Sequence, residues 1–203
     1  MKKYTAELIG TFALTLVVIL TSSTMPALTP FLAALTLGLF VYTIGPVSGA
    51  HINPAITLGA LSIKKIDGRD ALFYIISQFL GAGAALITGG FMLQAASKEL
   101  NVNAPFLPDF FGGEMGVGLA EALGAFFFAF GIASVIYGKT PKDASGAVIG
   151  GSLLIGISIA STVSAGILNP AVALGVNALN LMYLLGPIVG AVAGMWAYKA
   201  VSH

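Results

Sequence analysis

The sequence predicts an all-α membrane protein with six transmembrane helices plus two re-entrant half-helices in an inverted repeat. Three observations predict it. The 203 residues are 57% hydrophobic and 8% charged, with a mean hydropathy of +0.96, whereas roughly a quarter of a soluble domain is charged. Six apolar runs, 6–24, 31–48, 71–93, 115–137, 145–164 and 183–201, have the length of about 20 residues that crosses a bilayer as a helix. An Asn-Pro-Ala triplet occurs at 53–55 and again at 169–171, in matching places of two similar halves.

The first run follows Met1-Lys2-Lys3. Glu7 interrupts its beginning and no clear small-x-small cleavage site follows, so it reads as an uncleaved transmembrane helix rather than a signal peptide. With alternating spans, Lys2, Lys3, Lys64, Lys65, Arg69, Lys139, Lys142 and Lys199 all fall on one side. The other side holds Lys98, in a 98–114 loop that also carries Glu99, Asp109 and Glu114. Basic residues concentrate on the cytoplasmic side, which places both termini in the cytoplasm of a multi-pass cell-membrane protein. The net charge of +1 argues against a nucleic-acid partner. With no cysteine, neither disulfides nor thiol chemistry is in play.

The two halves, about 1–97 and 114–203 of a single transmembrane domain, repeat one pattern. YTAELIGTFAL (4–14) matches VGLAEALGAFFF (117–128), so that Glu7 and Gly10 recur as Glu121 and Gly124. SGAHINPAITLG (48–59) matches SAGILNPAVALG (164–175), and QFLGA (78–82) matches PIVGA (187–191) at a slightly shorter offset. Three spans per half is an odd number, so the second half lies inverted relative to the first. Such repeats put their functional site near the bilayer midplane.

Asparagine is a preferred helix N-cap and proline is favoured at the first helical position. Asn53-Pro54-Ala55 and Asn169-Pro170-Ala171 therefore open helices, over about 54–62 and 170–179. At 1.5 Å per residue each reaches roughly half the hydrocarbon thickness. Entering from opposite faces, they would meet with their partly positive N-termini facing. The extended stretches before them, 48–52 and 164–168, are non-helical backbone at membrane depth, tolerated where it lines a water-filled cavity or is buried in protein. A capping asparagine spends its oxygen on its own helix and leaves its NH₂ free, so Asn53 and Asn169 would present donors at the centre.

Glu7 and Glu121 fall in the first turns of spans one and four. They read as acceptors for backbone N–H groups of the re-entrant segments in preference to a proton relay, the other role of intramembrane carboxylates. His51 reads as a polar group at the cytoplasmic mouth, with a pH-responsive role open. Besides it the chain has one histidine, His203, so no metal site is expected. Gln78 reads as a local polar contact. Gly38, Gly81, Gly156 and Gly190 fall mid-helix, where close helix packing is the default.

On AELIGTF, SGAHINPAITLG, ILNPAVALG and LGPIVGA, the chain resembles the aquaporin and aquaglyceroporin (major intrinsic protein) family over nearly its whole length. The resemblance implies six tilted helices, two half-helices, one pore per subunit and a homotetramer. It also implies passive conduction of water or small neutral solutes, with no cofactor. The second box is normally followed by an arginine at the outer constriction, and here that position is Val172. Arg69, the one arginine of the chain, lies on the opposite side. The other constriction positions are Ala33, Ile157 and Gly166, where relatives carry aromatics or a histidine. Phe31 points about 200° away from Ala33 on a helix and is no substitute. The acidic residue that follows the arginine in glycerol channels is replaced by Ala173, while His51, Asn53 and Thr57 match the family pattern. Gly49 corresponds to Ala165 of the second repeat, whose outer lining is therefore expected to differ slightly.

The expected filter is wide and apolar. It favours water together with larger neutral solutes: glycerol, urea, ammonia, hydrogen peroxide or dissolved gases. A secondary transporter would need an ion site or a titratable relay at the midplane, and a junction-forming structural protein would need longer loops than 94–114. No nucleophile–base pair or metal cluster suggests an enzyme.

Overall fold

The computed structural model describes residues 1–100 and 113–202; Asp109, most of the 98–114 loop and His203 lie outside them. Nine α-helices are described, without strands among the described residues: α1 (Lys2–Thr24), α2 (Thr29–Thr43), α3 (Gly45–Ser48), α4 (Pro54–Ser62), α5 (Gly68–Ala95), α6 (Gly113–Ile136), α7 (Ser145–Ala160), α8 (Pro170–Gly175) and α9 (Leu181–Ser202). Short 3-10 turns lead into α2 and α7. Six of the helices, α2 and α7 with their leading turns, are long and apolar enough to cross a membrane. The main contacts pair α1 with α5, α6 with α9, α6 with α7 and α2 with α7.

Glycines set how closely these pairs approach. A Cβ on Gly38 would meet the Gly146 carbonyl at 2.8 Å, one on Gly156 the Gly124 carbonyl at 2.6 Å, one on Gly81 the Leu8 carbonyl and one on Gly190 the Ala122 carbonyl. All four mid-helix glycines of the sequence reading thus sit where helices touch backbone to backbone. Such contacts suit spanning helices, which gain no hydrophobic driving force from one another in lipid. On α9, Gly186, Gly190 and Gly194 repeat the device every four residues against the carbonyls of Gly118, Ala122 and Phe126 on α6.

Three boundaries differ from the expected spans. The second span breaks at Ile44 and resumes as the single turn α3; Pro46 has no N–H to continue the ladder. The fifth ends at Ala160 rather than 164, in turns that close on the carbonyls of Ile159 and Ala160. The second half-helix stops at Gly175, four residues short of the expected 179. Asn177 takes a left-handed φ of 62° and the Ala178 N–H returns to the Ala173 carbonyl, a helix-ending arrangement in which asparagine is a common alternative to glycine. In α4 the same ending is built with Lys64 at φ 60° and Lys65 bonded to the Ala60 carbonyl.

Basic residues gather at one end of the bundle. Lys3 pairs with Asp70, Lys65 lies over the Tyr137 ring, and Tyr137 stacks on Tyr198 beside Lys199.

Candidate functional site

The two re-entrant segments are built alike, and their backbone is less extended than the sequence suggests. Ser48 belongs to α3, and Gly49, Ala50 and Ile52 take φ of 87°, 51° and 38°; Gly166 and Leu168 take 64° and 55°. Left-handed backbone is unfavourable for Ala, Leu and above all Ile, so something must hold it. The holders are the buried carboxylates of the long helices. Glu7 Oε1 accepts from Ser48 Oγ (2.7 Å) and the His51 N–H (3.0 Å), and Oε2 accepts from the Ile52 N–H (2.6 Å) and Gln78 Nε2 (2.8 Å). Glu121 Oε1 accepts from Ser164 Oγ (2.7 Å) and the Ile167 N–H (3.0 Å), and Oε2 from the Leu168 N–H (2.6 Å). Both glutamates are fully buried. The expected contact to re-entrant backbone is therefore present for each, and Gln78 supplies a local polar contact as anticipated.

The sequence reading passed over two supports. Ser48 and Ser164, in matching positions, each bond a glutamate and a backbone N–H two residues on. Tyr74 donates to the Ser48 carbonyl (2.7 Å), and Tyr183 accepts from the Ala165 N–H (2.9 Å). The tyrosines share the 109-residue offset of Gln78 and Pro187, so extending that alignment four residues upstream would have exposed them.

Asn53 and Asn169 cap α4 and α8 from extended backbone. Asn53 Oδ1 accepts from the Ala55 N–H (2.8 Å), and Asn169 Oδ1 accepts from those of Ala171 (3.0 Å) and Val172 (3.4 Å). The expectation that each NH₂ is free needs correction. Asn53 Nδ2 donates to the Leu168 carbonyl (2.9 Å) and Asn169 Nδ2 to the Ile52 carbonyl (3.0 Å). One hydrogen of each amide thus ties its half-helix to the opposite segment, and each amide keeps one further N–H. These reciprocal bonds also engage the carbonyls of two of the strained residues, Ile52 and Leu168.

Both asparagines line a cavity of about 280 Å³, together with Ala33, Ile157, Gly166, Val172 and His51. The wall carries no Asp, Glu, Lys or Arg among the described residues. Val172 and Ala33 are each 3% exposed, packed around the space rather than projecting from the surface. Pro54, Ala55, Pro170 and Ala171 are buried behind it in the half-helices. His51 Nδ1 lies 3.2 Å from Thr57 Oγ1, with its ring edge-on to Tyr74. Phe31 is absent from this wall and exposed at 54%, as its angular position on α2 requires. The sequence reading missed Ser22, Thr29 and Ser161, all on the same wall. Thr29 Oγ1 has no hydrogen-bond partner among the described residues.

The profile of the major intrinsic protein family matches residues 1–198. The chain belongs to the major intrinsic protein family. It is 36% identical to the "Probable aquaporin AqpM" of Archaeoglobus fulgidus over 183 residues, 82% of this chain and 72% of that protein. It is 34% identical to the glycerol uptake facilitator protein-like 6 of Lactiplantibacillus plantarum over 218 residues, 99% of this chain and 98% of that protein. The fold matches that of the aquaglyceroporin from Plasmodium falciparum, with a TM-score of 0.76 and 20% identity over 98% of this chain and 93% of that one. The chain is thus a multi-pass membrane protein of a family of passive channels for water or small solutes.

Proposed function

We propose that solutes cross this protein through the cavity between the two Asn-Pro-Ala half-helices, and that the pore passes water together with small neutral solutes. The observation that carries the reading is a cavity whose wall holds no Asp, Glu, Lys or Arg among the described residues and is lined by Asn53 and Asn169 together with Ala33, Ile157, Gly166 and Val172. A solute at the asparagines meets two amide donors and two helix N-termini whose dipoles disfavour cations. At Val172, which stands in place of a guanidinium with up to five donors, selection rests on size and apolar contact. A neutral solute larger than water, such as glycerol, urea or ammonia, then crosses without displacing a fixed charge. Similarity to both an aquaporin and a glycerol uptake facilitator supports this breadth. Coupled transport is disfavoured because Glu7 and Glu121 are occupied by backbone and hydroxyl donors.

The whole chain then acts as one channel domain of two inverted repeats, without a cofactor, set in the cell membrane with both termini cytoplasmic and assembled as a homotetramer. Stopped-flow light scattering on proteoliposomes tests the central reading. Water and glycerol fluxes above the lipid background are expected, and no flux of either above that background sinks it.

A further inference from the structure

Three helices finish together at the basic end of the bundle. α6 and α9 run in one register, with Gly186, Gly190 and Gly194 against the carbonyls of Gly118, Ala122 and Phe126. The same offset places Tyr198 on Phe130, their ring centroids 5.0 Å apart. α4 lies beside α9, since a Cβ on Gly59 would sit 3.0 Å from Met195 Sδ and 3.3 Å from the Ala191 carbonyl. Lys65, just past α4, reaches Tyr137 at the end of α6, and Tyr137 stacks on Tyr198 of α9. Lys64 and Lys65 therefore follow α4, Lys139 follows α6, and Lys199 lies in the last turn of α9. No Asp or Glu occurs in 54–66, 122–142 or 181–202. Among the described residues, none of these lysines has a carboxylate within ion-pair distance; the ion pair there is Lys3–Asp70.

Two of the lysines rest on aromatic rings instead. Lys65 Nζ lies 4.5 Å from the centre of the Tyr137 ring, and Lys199 Nζ lies 4.4 Å from that of Trp196. A ring face attracts a cation but leaves its charge uncompensated. Lysine near the end of a span commonly extends its ammonium away from the hydrocarbon. Lys199 turns back over Trp196, which is one turn nearer the bilayer centre on the same face of α9. Interfacial tryptophan sits at headgroup level, so the ammonium is held there too. Trp196 is 47% exposed, and deeper along the helix Val189 and Leu185 are 62% and 46% exposed. Spacings of seven and four keep the three on one helix face. A fixed positive charge thus tops an apolar stripe that is open to lipid.

We propose that this end of α9 is a binding site for an anionic phospholipid, with the headgroup on Lys199 and Trp196 and an acyl chain along Val189 and Leu185. An ammonium held on an indole can still donate to a phosphate oxygen, and the indole N–H is a further donor. Lys64, Lys65 and Lys139 give the surrounding surface the same sign. Each basic group near a membrane surface favours anionic over zwitterionic lipid. A soluble anion would match the charge but leave the apolar stripe uncovered, whereas a phospholipid satisfies both. The site is independent of what the pore conducts.

Trp196 is the one tryptophan of the chain, so tryptophan fluorescence reads this site alone. In phosphatidylcholine vesicles, its quenching by brominated phosphatidylglycerol is compared with its quenching by brominated phosphatidylcholine. The wild type is expected to bind phosphatidylglycerol about fivefold more strongly, the preference that one lysine at a membrane surface confers. Lys199→Gln is expected to bring that ratio within about twofold of unity. Lys199→Arg keeps the charge and should keep the ratio, and Lys98→Gln, beyond the other end of α5, should leave it unchanged. A wild-type ratio near unity overturns the site, as does a Lys199→Gln variant that retains the wild-type ratio. A Lys199→Arg variant that behaves as Lys199→Gln overturns it as well, because the charge would then not be what binds. So does a Lys98→Gln variant that loses the preference as fully as Lys199→Gln, because net charge rather than a place on α9 would then set it.

Discussion

Glu7 and Glu121 show how much of this architecture rests on single side chains. Both oxygens of each carboxylate take a backbone N–H of a re-entrant segment. A glutamine in either place must turn its NH₂ toward one of those donors, whichever way the amide is set. Glu7→Gln further disturbs the bond from Gln78 Nε2, whereas the corresponding neighbour of Glu121 is Pro187. Each variant is expected to lose about 1–3 kcal/mol, the cost of leaving a buried donor unpaired. Glu7→Gln should lose the more. Thermal unfolding in detergent checks this against Glu99→Gln on the exposed surface; an unchanged midpoint for Glu7→Gln would remove the carboxylate from its bracing role. The glutamates were legible in the sequence because an acid inside an apolar span demands partners. Ser48, Tyr74, Tyr183 and the hydroxyls of the cavity were not. Serine, threonine and tyrosine are common in spans, and only the fold shows which of them face a carbonyl, a carboxylate or a space.

At the scale of elements, the half-helices were legible at their starts and less so at their ends. Asn-Pro fixes an N-terminus through two local preferences, capping and a preset φ, and both helices begin at the expected proline. Where a helix ends depends on which residue accepts a left-handed conformation, and a lysine does so in α4, which composition does not announce. The amides' cross-bonds to Leu168 and Ile52 were likewise invisible, because they join residues 115 and 117 positions apart. Val172, in the first turn of α8, is where the pore reading is most exposed to test. Val172→Arg puts a guanidinium into a cavity of about 280 Å³. It is expected to lower glycerol flux about tenfold relative to water, a discrimination within the reach of steric selection. An unchanged ratio in the same vesicles would show that Val172 does not face the pathway.

At the scale of the whole molecule, the six spans followed from hydropathy and the inversion from counting three spans per half. Orientation in the membrane rests on charge alone. Eight of the nine basic residues fall on one side of the predicted topology and Lys98 on the other, and the fold draws Lys3, Lys65 and Lys199 toward one end through their contacts with Asp70, Tyr137 and Trp196. A bilayer orients such a chain with its basic loops in the cytoplasm, because those loops are the ones not translocated. The chain has no cysteine, so a single introduced thiol reports its own side without background. Lys64→Cys and Lys142→Cys are expected to react with a membrane-impermeant maleimide in inside-out vesicles and to be protected in intact cells. Lys98→Cys should show the reverse. If Lys64→Cys and Lys98→Cys react from the same side, the crossing of α5 between them is wrong. If all three sites are reversed together, the fold survives and the charge rule fails for this protein. The half-helix that starts at Asn53 would then enter from the outer face.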